Sequence, residues 1–230
     1  MSVILQIETA TTSCSVALAI DGSVFAFKQI NERNIHAEVI TLFIDELVMA
    51  AGLTYDDIDA IAVSSGPGSY TGLRIGVSTA KGLCFALNKP LIAIETLEAM
   101  AYGVLTNPDV VVDKDTLLCP MIDARRMEVY CALFNSEGVK VRPTAADIID
   151  ELSFSEFLSK HKILFFGDGA DKCETTLGGN PNAQFLTGFV NSATYITQKA
   201  AEKFNNREFE DVAYFEPYYL KDFIAGKKAL

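Results

Sequence analysis

The stretch Ser64-Ser-Gly-Pro-Gly-Ser-Tyr-Thr-Gly-Leu-Arg-Ile-Gly76 lies between an apolar run and an amphipathic one. This pattern predicts a buried strand over 58–64 and a helix over 71–87. A glycine loop at such a junction presents backbone N–H groups and the positive end of a helix, where an anion can bind. It also forms a tight turn in which Ser69 or Thr71 caps the helix. Because the loop lacks the lysine of a P-loop, the residues alone favour the structural role.

Similar predicted elements follow one another twice along the chain. In the first half, strands are predicted over 3–7, 14–20, 24–30, 58–64 and 90–94, and helices over 36–51 and 71–87. The second half repeats the hairpin and the strand–glycine unit, with strands over 117–122, 128–134 and 162–166 and a late helix over 193–204. We therefore predict two related α/β domains, 1–103 with the glycine loop and the partner-binding helices, and a smaller one, 117–230, with the C-terminal segment.

Composition limits the possible partners and the location. The chain has 230 residues, 50% of them hydrophobic, and a net charge of -11, so contact with nucleic acid is expected only through a partner. Five scattered cysteines without a C-x-x-C pair indicate reduced thiols in a cytoplasmic protein. The sequence predicts neither a signal peptide nor a membrane span. The terminal lysines Lys221, Lys227 and Lys228 are expected to stay solvated.

Five segments together carry a resemblance to a known family. They are ILQIETATTSCSVAL at 4–18, SSGPGSYTGLRIGVSTAKGL at 64–83, IDAR at 122–125, EVY at 128–130 and EPYYLK at 216–221. The chain resembles, from end to end, the TsaB/YeaZ family of bacterial tRNA threonylcarbamoyladenosine synthesis. This resemblance implies the actin-like ATPase (ASKHA) fold, an α/β fold of two related ribonuclease-H-like halves, with the second half truncated.

The resemblance also implies a function and partners. It implies a noncatalytic scaffold subunit that pairs with the transferase TsaD, is joined by the ATPase TsaE, forms a homodimer when alone and meets tRNA only through the complex. No cofactor is expected in the isolated chain, whereas ATP or ADP is expected at the interface with the partner. The residues that would contact this shared nucleotide are Glu8, Thr9, Thr11, Thr12, Ser13, Gly66, Gly68, Ser69 and Thr71. The alternative is an ATP-dependent small-molecule phosphotransferase of the same superfamily. A hydrolase is a third hypothesis, which the lack of placed histidines disfavours.

The histidines give no support for a metal site. The catalytic paralogue carries H-x-x-x-H on a helix after the strand that matches 90–94, and the corresponding residues here are Thr96 and Met100. A metal-binding pair at i and i+4 lies on one helix face, but His36 and His161 are far apart in sequence. Each is expected to be a surface or capping residue. We therefore predict no metal and no catalytic residue.

Two predicted helices carry apolar or small residues beyond one core stripe. Val39, Leu42 and Met49 form a second face on the helix over 36–51. On the next helix, Gly72, Gly76 and Ala80 form a ridge of small residues, with Arg74 beside it. The pattern alone leaves open burial within one domain or contact with a partner helix. The resemblance favours the partner, so a leucine at Gly76 is expected to disrupt pairing more than folding.

Overall fold

The computed structural model describes residues 2–221, which form two five-stranded sheets packed with helices. The strands of the first sheet are β1 (Val3–Glu8), β2 (Ser13–Ile20), β3 (Ser23–Asn31), β4 (Ala60–Gly66) and β5 (Leu91–Glu95). Those of the second sheet are β6 (Thr116–Asp123), β7 (Glu128–Phe134), β8 (Lys140–Ile148), β9 (Lys162–Phe166) and β10 (Ala183–Leu186). The α-helices are α1 (His36–Ala50), α2 (Tyr70–Leu87), α3 (Thr96–Leu105), α4 (Ser155–Leu158), α5 (Asp168–Asp171), α6 (Glu174–Leu177) and α7 (Thr197–Asn206).

Both sheets have the same strand order, β3-β2-β1-β4-β5 in the first and β8-β7-β6-β9-β10 in the second. In each sheet an antiparallel hairpin lies on one side and parallel strands lie on the other. Parallel strands with both faces covered need apolar residues on both faces, and β1 is buried along its whole length. The repeated order therefore bears out the internal duplication that the sequence pattern indicates.

Helices cover both faces of the first sheet. Ile44 of α1 and Val77 of α2 belong to the core on one face, and Ala99 of α3 lies in the core on the other face. Ile196 and Ala200 pack into this second core as well, although they follow the second sheet in the chain. A division into 1–103 and 117–230 would separate these contacting residues.

The second half has a five-stranded sheet like the first, and its expected truncation lies in its helices, which are much shorter. The helices α4, α5 and α6 have four residues each, compared with 15 in α1 and 18 in α2. These short helices, β8 and β10 have no counterpart among the predicted elements. β8 contains Pro143 and is an edge strand, where proline is tolerated although it weakens the strand signal.

The structure also tests the helix boundaries and the membrane prediction. The helix predicted over 193–204 starts as a 3₁₀ turn, Ala193–Ile196, which α7 continues. Ser192 caps this turn, because its hydroxyl accepts a hydrogen bond from the Thr194 N–H at 3.3 Å. Within residues 2–221, no helix has both the length and the apolar character needed to cross a membrane.

Candidate functional site

The glycine loop, residues 65–69, is packed against the polar turn that follows β1, residues 9–13. The Ser69 N–H donates to the Ala10 carbonyl oxygen at 2.7 Å, and a Cβ atom on Gly68 would lie 2.5 Å from that same oxygen. The Ser69 hydroxyl accepts from the Gly72 N–H at 3.3 Å and so caps α2. Glycine is required at position 68 because the two backbone segments approach this closely. Thr71 lies exposed in the first turn of α2.

The chain's own C-terminal segment covers the loop from outside, and we call residues 209–221 the C-terminal strap. The Tyr218 N–H donates to the Ser65 carbonyl oxygen at 2.7 Å. A Cβ atom on Gly66, which has a φ of +116°, would lie 2.5 Å from the Tyr218 carbonyl oxygen. The rings of Tyr219 and Tyr70 have centroids 4.9 Å apart. The outer side of the loop is therefore filled by backbone and aromatic rings of the same chain.

Lysines hold the strap at both ends. The Lys81 ammonium of α2 donates to the Phe215 carbonyl oxygen at 2.8 Å and to the Ala213 carbonyl oxygen at 3.3 Å. Lys221 forms an ion pair with Glu128 of the second sheet, so the expectation that Lys221 is merely solvated is wrong. Lys227 and Lys228 lie outside the described residues.

The ridge of small residues on α2 faces the chain's own polar turn. The Thr9 hydroxyl donates to the Gly72 carbonyl oxygen at 2.8 Å, and a Cβ atom on Gly76 would lie 2.2 Å from the Thr9 Oγ1 atom. Ala80 is fully buried in the core of the first sheet. The expectation that Gly72, Gly76 and Ala80 receive a partner helix is therefore wrong. Equal spacing of small residues serves a close contact within the chain as well as one between chains.

Other apolar side chains on these helices do remain exposed. The exposed fraction is 56% for Leu42 and 77% for Met49, whereas Val39 is only half-buried. Phe85 of α2, which the sequence analysis did not single out, is 87% exposed. Arg74 is exposed as well, and its guanidinium lies 4.5 Å from the centroid of the Tyr70 ring. We call Leu42, Met49 and Phe85 the apolar helix face.

Glu8 lies at the end of β1, beneath the polar turn. It is fully buried, and its Oε1 atom accepts a hydrogen bond from the Ala10 N–H at 2.5 Å. Burial raises the pKa of Glu8 to about 7, against the opposing effect of the Ala10 N–H and of the nearby Ser64 and Asn191 side chains. Glu8 therefore titrates near neutral pH in an enclosed position.

Three polar-turn residues, Thr11, Thr12 and Ser13, line a cleft instead of packing against the glycine loop. This cleft of about 180 Å³ lies between the two sheets. Its other lining residues come from β3, α3, the start of α5 and the segment 188–191. The structure thus divides the predicted nucleotide residues into two groups. Glu8, Thr9, Gly66, Gly68 and Ser69 are packed together at the loop, whereas Thr11–Ser13 belong to this cleft.

Thr96 and Met100 lie where the resemblance places histidines in the catalytic paralogue, and Thr96 hydrogen-bonds to the glycine loop. The Thr96 Oγ1 atom lies 2.7 Å from the Ser64 Oγ atom and accepts from the Gly66 N–H at 3.1 Å. Met100 is buried. His36 is also buried, and its Nε2 atom donates to the Thr11 carbonyl oxygen at 3.0 Å. In the described part of the chain, no three His, Cys, Asp or Glu side chains are arranged to hold a metal ion.

Comparison with known proteins connects this geometry to a family. A family model described as TsaD, tRNA N6-adenosine threonylcarbamoyltransferase, matches residues 30–227. The chain belongs to this family. It is 29% identical over 234 residues to the tRNA threonylcarbamoyladenosine biosynthesis protein TsaB of Haemophilus influenzae, an alignment that covers 98% of this chain and 96% of that protein.

Two further relatives agree with this placement. The TsaB protein of Escherichia coli K12 is 38% identical over 134 residues, which are 58% of this chain but only 55% of that protein. A crystal structure of a Pseudomonas aeruginosa protein, described as similar to peptidase YeaZ, superposes with a TM-score of 0.82 at 25% identity, covering 96% of this chain and 100% of that one. The TsaB/YeaZ resemblance and the α/β, actin-like ATPase fold class are thereby confirmed.

Proposed function

We propose that this chain is a noncatalytic subunit of tRNA threonylcarbamoyladenosine biosynthesis that pairs with a TsaD-type transferase. The names of the E. coli and H. influenzae relatives support the process. The proposal that the chain is noncatalytic rests on the glycine loop, which contacts within the chain keep closed. Its Ser69 and Gly66 N–H groups are bonded within the chain, and the C-terminal strap lies over it. An anion-binding loop needs free N–H groups directed at the ligand.

The apolar helix face is the surface that we assign to the partner. Contiguous apolar surface that stays exposed on a soluble protein marks an interaction site. Leu42 and Met49 lie on α1 and Phe85 lies on α2, and these two helices pack side by side. The same face would form the homodimer when the partner is absent, so the two assemblies would compete.

The other members of the assembly follow from charge and from the closed loop. A net charge of -11 opposes direct binding to tRNA, so we propose that TsaD supplies the tRNA surface. The ATPase TsaE would then join the TsaD pair, and ATP or ADP at the loop would require the strap to leave. All five cysteines are free and buried, which agrees with the cytoplasmic location that we propose.

Reconstitution of the modification reaction tests this proposal. The chain, the TsaD paralogue and TsaE from one organism would be purified separately and combined with unmodified tRNA and the threonylcarbamoyl donor. We expect no transfer by this chain alone and a strong dependence of TsaD activity on its presence. Transfer by the chain alone, or full TsaD activity without it, would show that the proposed role is wrong.

A further inference from the structure

A pocket of about 270 Å³ lies at the edge of the second sheet, between β8 and α4. The strand contributes Arg142, Asp147 and Ile148, and the segment 149–157 contributes the rest of the lining. This volume lies just below the roughly 300 Å³ at which pockets for drug-sized ligands begin, so the pocket suits a molecule much smaller than a nucleotide. Neither the glycine loop nor the apolar helix face lines it, and it has no place in the proposed function.

Arg142 and Asp147 place opposite charges side by side in this pocket. The Arg142 Nη1 atom donates to the Asp147 Oδ2 atom at 2.6 Å, and 27% of the Arg142 side chain and 25% of the Asp147 side chain are exposed. Although burial opposes it, hydrogen bonds from Arg142 and Cys131 hold the pKa of Asp147 below its usual range. Both groups are therefore charged at neutral pH.

The pair keeps unused hydrogen-bonding atoms. A guanidinium carries N–H donors on Nε and on both Nη atoms, and a carboxylate accepts through each oxygen. Among the residues that the structure describes, the side-chain hydrogen bonds of Arg142 all use its Nη1 atom and those of Asp147 all use its Oδ2 atom. The Arg142 Nε and Nη2 atoms and the Asp147 Oδ1 atom are not enclosed by the protein. They are therefore open to a ligand.

Apolar side chains line the pocket beside this pair. Ile148 and Leu152 are each 76% exposed, and Phe154 and Phe157 complete the wall. The Phe154 ring packs edge-on against the Phe165 ring of the core, with centroids 5.4 Å apart. A concave site with apolar walls and a few placed polar groups is typical of small-molecule binding.

The two adjacent charges decide which ligand fits. A simple anion at Arg142 would also meet the Asp147 carboxylate, and a simple cation at Asp147 would also meet the guanidinium. A zwitterion carries both charges close together and satisfies both residues at once. Glu156, the other charged residue of the lining, is exposed and lies 3.8 Å from the Lys160 ammonium, so it leaves this balance unchanged.

We propose that this pocket binds a free α-amino acid with an apolar side chain. The ligand carboxylate would accept from the Nε and Nη2 groups of Arg142, whose planar fork matches a carboxylate. The ligand ammonium would donate to the Asp147 Oδ1 atom, and the apolar side chain would lie against Leu152 and Phe154. This binding is independent of any pairing with TsaD.

A titration with L-leucine, followed by amide NMR of the full chain, tests the proposal. The matched probes are 3-methylbutylamine, which is leucine without its carboxylate, and 4-methylpentanoate, which is leucine without its ammonium group. We expect leucine to bind with a Kd of about 0.1 to 1 mM, to shift the amides of Asp147 and Leu152, and to bind at least about fivefold more tightly than either probe. Glycine, which lacks the apolar side chain, should also bind at least about fivefold more weakly than leucine.

Two variants with matched controls locate the site. Arg142→Gln should weaken leucine binding at least about fivefold, whereas Arg33→Gln, at an exposed arginine outside the lining, should not. Leu152→Ser should weaken leucine binding about threefold, whereas Val111→Ser, at an 88% exposed valine outside the lining, should not. Because Leu152 is itself exposed, its variant tests the site even if Arg142→Gln disturbs the fold.

Three results would overturn the proposal. The first is equal binding of leucine and of either single-charge probe. The second is leucine binding that Leu152→Ser leaves unchanged, or that shifts only amides away from the pocket. The third is the lack of a saturable shift at roughly 10 mM leucine.

Discussion

The Thr9 hydroxyl donates a hydrogen bond to the Gly72 carbonyl oxygen, 2.8 Å away, and so joins the polar turn to the first turn of α2. Four residues further along the helix, Gly76 meets the same threonine side chain. This contact fixes the position of the glycine loop relative to β1. The loop is therefore a structural joint between a strand and a helix.

Gly76→Ala should destabilise the fold. The new Cβ atom would lie 2.2 Å from the Thr9 Oγ1 atom, and such overpacking typically costs about 1–3 kcal/mol. For a protein of this size the melting temperature should fall by about 2–4 °C per kcal/mol. Gly82→Ala is the matched control, because it lies in the same helix with nothing within 4 Å of its Cβ position. Thermal unfolding of both variants decides the matter, since an equal effect would place the Thr9 contact in doubt.

Lys81→Met should loosen the C-terminal strap without unfolding the chain. The Lys81 ammonium bonds two strap carbonyl oxygens, and each such bond contributes about 0.5–1.5 kcal/mol. Hydrogen exchange at the Tyr218 amide should therefore accelerate about three- to tenfold. Lys160→Met serves as the control, because it removes an exposed lysine whose ammonium lies 3.8 Å from the Glu156 carboxylate, away from the strap. Unchanged exchange at Tyr218 would mean that Lys81 does not hold the strap.

Glu8 should make the protein less stable as the pH rises from 5 to 8. Its pKa is about 7 in the fold and about 4.5 when unfolded, so between these values the folded chain keeps a proton that the unfolded chain releases. The free energy of unfolding should fall by about 2–3 kcal/mol across this window and then stay level. Glu8→Gln mimics the protonated carboxyl and should abolish this component. Urea unfolding of both proteins at pH 5 and 8 measures the difference, and parallel pH profiles would contradict the assignment.

Binding of Mg-ATP to the isolated chain should be weak or absent. The strap covers the glycine loop, and the cleft of about 180 Å³ is smaller than the roughly 300–1,000 Å³ of pockets that hold such ligands. Calorimetry should therefore show no saturable heat with Mg-ATP in the micromolar range. A micromolar Kd would revive the phosphotransferase alternative.

The strands could be read from the sequence because they are short apolar runs bounded by turn residues. The duplicated strand order follows from them, and the Ser69 cap follows from local chemistry. The ridge at Gly72 and Gly76 could not be assigned, because spacing shows that a close contact exists but not which segment makes it. The roles of Tyr218 and Asn191 depend on contacts across more than 150 residues, for which no local pattern exists.

We propose that the apolar helix face, and not the glycine ridge, pairs with TsaD. The most direct test is the Kd between purified TsaD and this chain carrying Met49→Asp or Phe85→Asp, measured beside Ile148→Asp. Ile148 is 76% exposed and lies on β8, away from α1 and α2. We expect each helix-face variant to raise the Kd at least about tenfold while keeping its melting temperature, and the Ile148 variant to leave the Kd unchanged. Unchanged affinity in both helix-face variants would contradict the account.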